Sequence, residues 1–125
     1  MNVKRQKARA FGLALEWRAA LWLMLKGHRI LARNFRISGG EIDIVTLSPE
    51  RWVGGGFLCF VEVRGRSDAM AAHDSVDSAK QFRIRAAARA YRAMNPGLAR
   101  YPARFDIVAA GRNGALVHNR NAFDA

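Results

Sequence analysis

FLCFVEVR, the run from Phe57 to Arg64, decides how this chain is read. Six of its eight residues are apolar. A short run of this length and composition suits a strand buried on both faces, in the middle of a sheet. Period-two geometry places Leu58, Phe60, Glu62 and Arg64 on one face and Cys59, Val61 and Val63 on the other. A carboxylate and a guanidinium therefore leave an otherwise apolar strand in the same direction.

Working outward toward the N-terminus, Glu41 to Leu47 is rich in β-branched residues and predicts a second strand, closed by Ser48 and Pro49. The turn Ser38-Gly39-Gly40 connects it to an earlier strand over His28 to Arg36. Before that, Phe11, Leu15, Trp22 and Leu25 recur at helical spacing. They predict a helix from about Lys7 to Lys26, with Gly27 as its left-handed cap. Toward the C-terminus, Gly54 to Gly56 is a connection before the central strand, and a polar loop from Gly65 to Asp74 follows it. A second helix is expected over Asp77 to Met94, packing through Phe82, Ala86, Ala90 and Met94 and stopped by Pro96 and Gly97. Phe105 to Ala110 and Ala115 to His118 complete the chain as a hairpin around Gly111, Asn113 and Gly114. The order α β β β α β β describes one α/β domain over residues 1–125, a central sheet flanked by two main helices.

The 125 residues hold 21 Lys and Arg against 10 Asp and Glu, a formal charge of +11, and half of them are apolar. The apolar fraction excludes a disordered basic tail. One cysteine, Cys59, excludes an internal disulfide, and with only His28, His73 and His118 spaced far apart no zinc-ligand pattern is present. The longest apolar run, Ala19 to Leu25, has seven residues, whereas a membrane helix needs about 20. A cytoplasmic protein is expected. Its charge points to nucleic acid as the first partner, because Lys and Arg gain free energy by displacing counterions from phosphates. Gly65-Arg66-Ser67-Asp68-Ala69 lacks the final glycine of a nucleophile elbow, and the triple glycine is followed by no Lys-Ser or Lys-Thr, so neither motif is read here.

Three acids stand out against this basic background. In the second strand Glu41, Asp43 and Val45 share a face by alternation, opposite Ile42 and Ile44, so that Asp43 and Glu62 converge if the faces correspond. Two carboxylates among apolar strands are costly to bury without a positive partner. A divalent cation would serve, and so would an ion pair with Arg64 or another arginine. Glu16 lies mid-helix among Gly12, Leu13, Ala19, Ala20 and Leu23, so it faces the packed side. Oxygen ligands of this type suit magnesium or manganese, which complete their shells with water and substrate phosphate. On the second helix Lys80, Arg83, Arg85, Arg89 and Arg92 form a basic side with no acid between Asp77 and Met94. That side is either a solvated face or a phosphate-binding one. Asp106, near Arg104, is read as structural.

Glu16 in the first helix, GEID (Gly40 to Asp43), FVEVR (Phe60 to Arg64), Lys80 opening the second helix, RFDIV (Arg104 to Val108) and NAF (Asn121 to Phe123) together resemble the YraN family of bacterial proteins. The resemblance covers nearly the whole chain. That family is grouped with the restriction-endonuclease-like PD-(D/E)xK nucleases and is similar in outline to archaeal Holliday-junction resolvases. The resemblance implies a restriction-endonuclease-like fold and magnesium- or manganese-dependent hydrolysis of DNA phosphodiesters, with branched DNA as one substrate. It implies Glu16, Asp43 and Glu62 as metal-binding acids, Arg64 at the position of the motif lysine and, by analogy with resolvases, a homodimer. Arginine keeps the positive charge but does not act as a base, and Lys80 is a second candidate cation. Two other classes of function fit the same residues: a nucleic-acid-binding module whose site has decayed at Arg64, and a basic adaptor that docks an acidic protein.

Overall fold

The computed structural model describes residues 3–50, 55–65, 76–111 and 113–124. Gly54, the loop after Gly65 through Asp74, and with it His73, lie outside them. The elements are α1 (Val3–Leu25), β1 (Arg29–Ile37), β2 (Gly40–Leu47), β3 (Leu58–Arg64), α2 (Ser78–Met94), β4 (Ala103–Ala110) and β5 (Leu116–Phe123), with a 3₁₀ turn at Pro96–Leu98. The predicted order is the observed one. Gly27, at φ 96°, ends α1, and Gly39, at φ 84°, makes the β1–β2 turn, both in the left-handed region that suits glycine. Asp77 caps α2 by accepting the Lys80 N–H at 2.8 Å. No helix among the described residues is long and apolar enough to cross a membrane.

The sheet runs β1-β2-β3-β4-β5 in space. Its β3–β4 pair is parallel and its other pairs are antiparallel. The parallel pair follows from the connection through α2, since parallel neighbours need a long crossover. As expected, β3 lies in the middle, and Leu58, Cys59, Phe60 and Val61 are all buried. Leu58 and Phe60 join Ile42, Phe105, Ile107 and the α2 residues Ile84, Ala87 and Tyr91 in one core layer. Cys59 and Val61 join Ile44, Val108 and the α1 residues Ala19, Ala20 and Leu23 in the other. A five-stranded mixed sheet with its two main helices packed in separate layers is a restriction-endonuclease-like α/β fold.

Both helices bury a different stripe from the one their largest side chains suggest. In α2, Phe82 and Met94 are about two-thirds exposed, and the buried positions are Ile84, Ala87, Ala88 and Tyr91. The reason lies at Gly40, where α2 meets β2 backbone to backbone. A Cβ there would stand 2.5 Å from the Arg83 carbonyl oxygen and 3.2 Å from Ala87 Cβ. Only small residues tolerate that approach, so Ala87 sets the helix phase and Phe82 turns outward. In α1, Phe11 and Leu25 are exposed while Leu15, Ala19, Ala20 and Leu23 are buried. These include three of the neighbours that place Glu16 on the packed side.

A polar network lies in the α1 layer. Asp106, fully buried on β4, receives two hydrogen bonds from Arg104 at 2.9 Å, the Asn121 N–H at 3.0 Å and His118 Nε2 at 2.8 Å. Burial alone would raise the Asp106 pKa, but the bonds from His118 and Arg104 outweigh it and hold the carboxyl at about 2. Lys26 Nζ lies 2.7 Å from His118 Nδ1. An ammonium only donates, so Nδ1 accepts and Nε2 carries the proton toward Asp106. His28, bonded to Thr46 at 2.9 Å, is pushed down to about 4 by burial and by His118. Asp106 is structural as expected, and the fold brings together two histidines, His28 and His118, that the sequence holds apart.

Replacing Gly40 with alanine is expected to cost about 1–3 kcal/mol, because the new methyl must push α2 off β2. Urea unfolding of the variant, with Gly12→Ala as an uncrowded glycine control, checks it.

Candidate functional site

Strands β2 and β3 pair from Leu47 and Leu58 as far as Ile44 and Val61, and there the regular register ends. At that point the Asp43 side chain enters the gap and its Oδ2 accepts the Val63 N–H at 2.8 Å. A carboxylate thus takes the place of a strand carbonyl. Across β2, Asn34 falls in the register between the pairs Arg33–Ile44 and Phe35–Ile42, and it has φ 54°. The register with β2 is continuous on both sides of Asn34, and the one shift between these strands falls between Ile30 and Ala32. Within β2, Ile42 and Val45 both join the α2-side core while Ile44 joins the α1-side core. The simple alternation that put Ile42 and Ile44 on one face is therefore incorrect. Asp43 and Glu62 still converge, for a different reason: the strands part between them.

Glu62 is buried on β3, 6% exposed. Lys80 Nζ, from the first turn of α2, is 2.7 Å from its Oε2, and Arg64 Nη1 is 3.5 Å from the same oxygen. Asp43 is pushed up to about 8, by burial first, then by the Glu62 charge and by a hydrogen bond shared between the two carboxyls. Burial and the neighbouring Glu62 thus favour the protonated form of Asp43. Glu16 is half-buried on α1 and its pKa is raised by burial, against a hydrogen bond from Asn34 and the charges of Arg33 and Arg36. It is close enough for its charge to raise the Asp43 pKa further. Its Oε1 is buried with no hydrogen-bond partner among the described residues. Asp43 thus feels the charges of both other predicted acids, but among the described residues no three His, Cys, Asp or Glu side chains form a ready-made metal site.

Cations surround this point. Arg36, paired with Glu41 at 3.3 Å, and exposed Arg83 line one shallow recess beside Gly39 and Gly40. Arg89 is exposed farther along α2. Arg92 is turned inward instead, donating to the carbonyls of Tyr101 at 3.1 Å and Ala99 at 3.4 Å. Arg85 donates to Gln81 and to the Asp124 carbonyl. Asn34 and Arg33 are the site residues that sequence reading missed. An asparagine in the middle of a strand is a poor β-former, and that is the signal that could have marked the position.

The family model described as "Uncharacterised protein family UPF0102" matches residues 15–110, a span that includes all three acids and Lys80. The chain belongs to the UPF0102 family. This is the YraN family that the sequence motifs resemble. Among UPF0102 proteins, one from Rhizobium etli is 44% identical over 119 residues, 95% of this chain and 93% of that protein. One from Rhizobium leguminosarum is 45% identical over the same shares of the two chains. A third, from Mesorhizobium japonicum, is 39% identical over 122 residues, 98% of this chain and 93% of the relative. The family model runs from the second half of α1 through β4, and these relatives align over nearly the whole chain.

The raised Asp43 pKa makes the site a source of pH-dependent instability. Between about pH 4 and 8 the folded chain holds a proton that the unfolded chain has released, so this group's contribution to stability falls as pH rises and levels off above about 8. Asp43→Asn removes that slope. Thermal unfolding in chelator across this range should show a smaller loss of melting temperature with rising pH in the variant than in the parent.

Proposed function

We propose that this protein is a divalent-cation-dependent nuclease acting on DNA, with Asp43, Glu62 and Glu16 as metal ligands. The observation that carries the reading is geometric: the Asp43 carboxyl, held by the Val63 N–H, enters the point where the β2–β3 pairing ends, beside buried Glu62, whose charge raises the Asp43 pKa. A divalent cation would relieve the repulsion between such acids, and the unpartnered Glu16 Oε1 is a further oxygen donor. This all-oxygen donor set fits magnesium or manganese. A bound cation of this kind supplies a lowered pKa for attacking water and stabilises charge on phosphoryl oxygens.

The chain's own residues would do the rest. Lys80 meets Glu62 from α2 and so brings an ammonium to the place where the motif lysine would act, while Arg64 supplies fixed positive charge beside it. Asp43, held by the Val63 N–H, keeps its carboxyl in the gap between the strands. Arg83 and Arg89 offer exposed charge to the phosphates of a duplex, whereas Arg92 serves the fold. A second reading, a nucleic-acid-binding module that does not cut, is favoured by one observation. Lys80 and Arg64 already pair with Glu62 without a metal ion.

Labelled duplex, forked and four-way-junction DNA incubated with magnesium or manganese separates these readings. Metal-dependent cleavage should disappear in Asp43→Asn, fall at least about 100-fold in Lys80→Met and persist in Arg64→Lys. Cleavage that survives Asp43→Asn would identify a contaminating nuclease, and binding without cleavage by any form would establish the second reading.

The surface is tested independently of the chemistry. Arg83→Gln with Arg89→Gln should lower the dependence of DNA affinity on log salt by about two, since each phosphate that an arginine no longer neutralises reduces the slope by about one. Unchanged slopes in filter binding would place the DNA elsewhere.

A further inference from the structure

Residue Trp17 follows Glu16 on α1 and is 54% exposed. So large an apolar side chain beside a polar site calls for an explanation. The Arg33 guanidinium lies 3.7 Å from the centre of its ring. Arg33 is tied to the site through its neighbours: it precedes Asn34, which bonds Glu16, and it pairs in the sheet with Ile44, next to Asp43. Its Nη1 is buried with no hydrogen-bond partner among the described residues. The pair is thus a preformed stack of guanidinium on indole, next to Glu16 along α1.

We propose that Trp17 and Arg33 form a subsite for an unpaired nucleobase next to the phosphodiester held at Glu16, Asp43 and Glu62, so that the preferred substrate is DNA with single-stranded bases beside a duplex. The inference rests on the nucleic-acid reading of the site and adds a substrate class to it. Arg33 stacks on the indole while more than half of Trp17 stays exposed, and every base has a π-face able to stack on such a ring. A fully paired duplex offers no such base, because its bases are stacked on one another.

Exposed Leu13, Leu21 and Met24 continue from Trp17 along α1, and a protein surface is the competing occupant. A second copy of this chain would bring the same charge of +11 against Arg18 and the basic start of α1. The guanidinium stack and the adjacency to Glu16 favour a base over it.

The test compares a blunt duplex with a forked duplex of the same paired sequence, both labelled, in chelator so that no cleavage intervenes. The parent should prefer the fork. Trp17→Ala should lose roughly tenfold or more in fork affinity with a far smaller loss on the blunt duplex, as stacking energies by alanine substitution imply. Trp17→Phe should retain most of the preference, and Arg33→Gln should reduce it. Circular dichroism confirms that each variant is folded, and sedimentation reports self-association. A parent that binds neither DNA overturns the nucleic-acid reading and this inference with it. A parent that binds both, with Trp17→Ala weakening fork and duplex equally or not at all, overturns the stacking subsite alone. Loss of a dimer in Trp17→Ala, with the fork preference intact, also overturns it and assigns the surface to a second copy.

Discussion

The hydrogen bond from the Val63 N–H to Asp43 is the contact on which the site depends. Two neighbouring strands normally satisfy each other's amides with carbonyls. Here a side-chain carboxyl satisfies one of them, and the ladder between β2 and β3 ends at Ile44 and Val61. The separation gives Glu62 room to meet Lys80 from α2 and Asp43 from β2. Without it, Glu62 would be a buried charge in the centre of a sheet, where desolvation is severe.

A second constraint, at the C-terminal end of α1, keeps that arrangement in place. Lys26 bonds His118, His118 bonds Asp106, and Asp106 holds Arg104 and the Asn121 backbone. The network joins the end of α1 to β4 and β5, while Gly27 turns the chain directly into β1. Glu16 is therefore carried by a helix tied down near its far end. Each polar cluster has an asparagine at positive φ, Asn34 in one and Asn121 in the other, and Asn121 lies where β4 and β5 depart from regular register. Each clusters its polar atoms against a carboxylate instead of leaving them in the ladder.

The two clusters differ in how completely their charges are answered. Asp106 has four hydrogen bonds and a pKa held at about 2, as a satisfied structural carboxylate does. Asp43 is pushed up to about 8, and Glu16 retains a buried oxygen with no partner among the described residues. Groups of opposite character in one small fold separate a scaffold from a site, because incomplete satisfaction of buried acids is what a ligand can relieve.

The element order, the central place of β3 and the convergence of Asp43 and Glu62 were legible in the residues. Each depends on local information: apolar runs, turn residues and the rarity of acids in a basic chain. The family motifs added the fold. Packing faces were not legible, because the phase of α2 is set by the backbone approach at Gly40 and not by the size of Phe82 or Met94. Nor was the alternation in β2, where Ile42 and Ile44 join opposite core layers although they are two residues apart. Arg92 and Arg89 look alike in sequence, yet one closes the end of α2 on two carbonyls and the other is exposed. The sequence by itself determined which residues carry charge and which segments form strands and helices. Tertiary structure alone decided which charges meet, because that depends on where strands part and how closely helices approach them, and both are set by contacts between residues far apart in the chain.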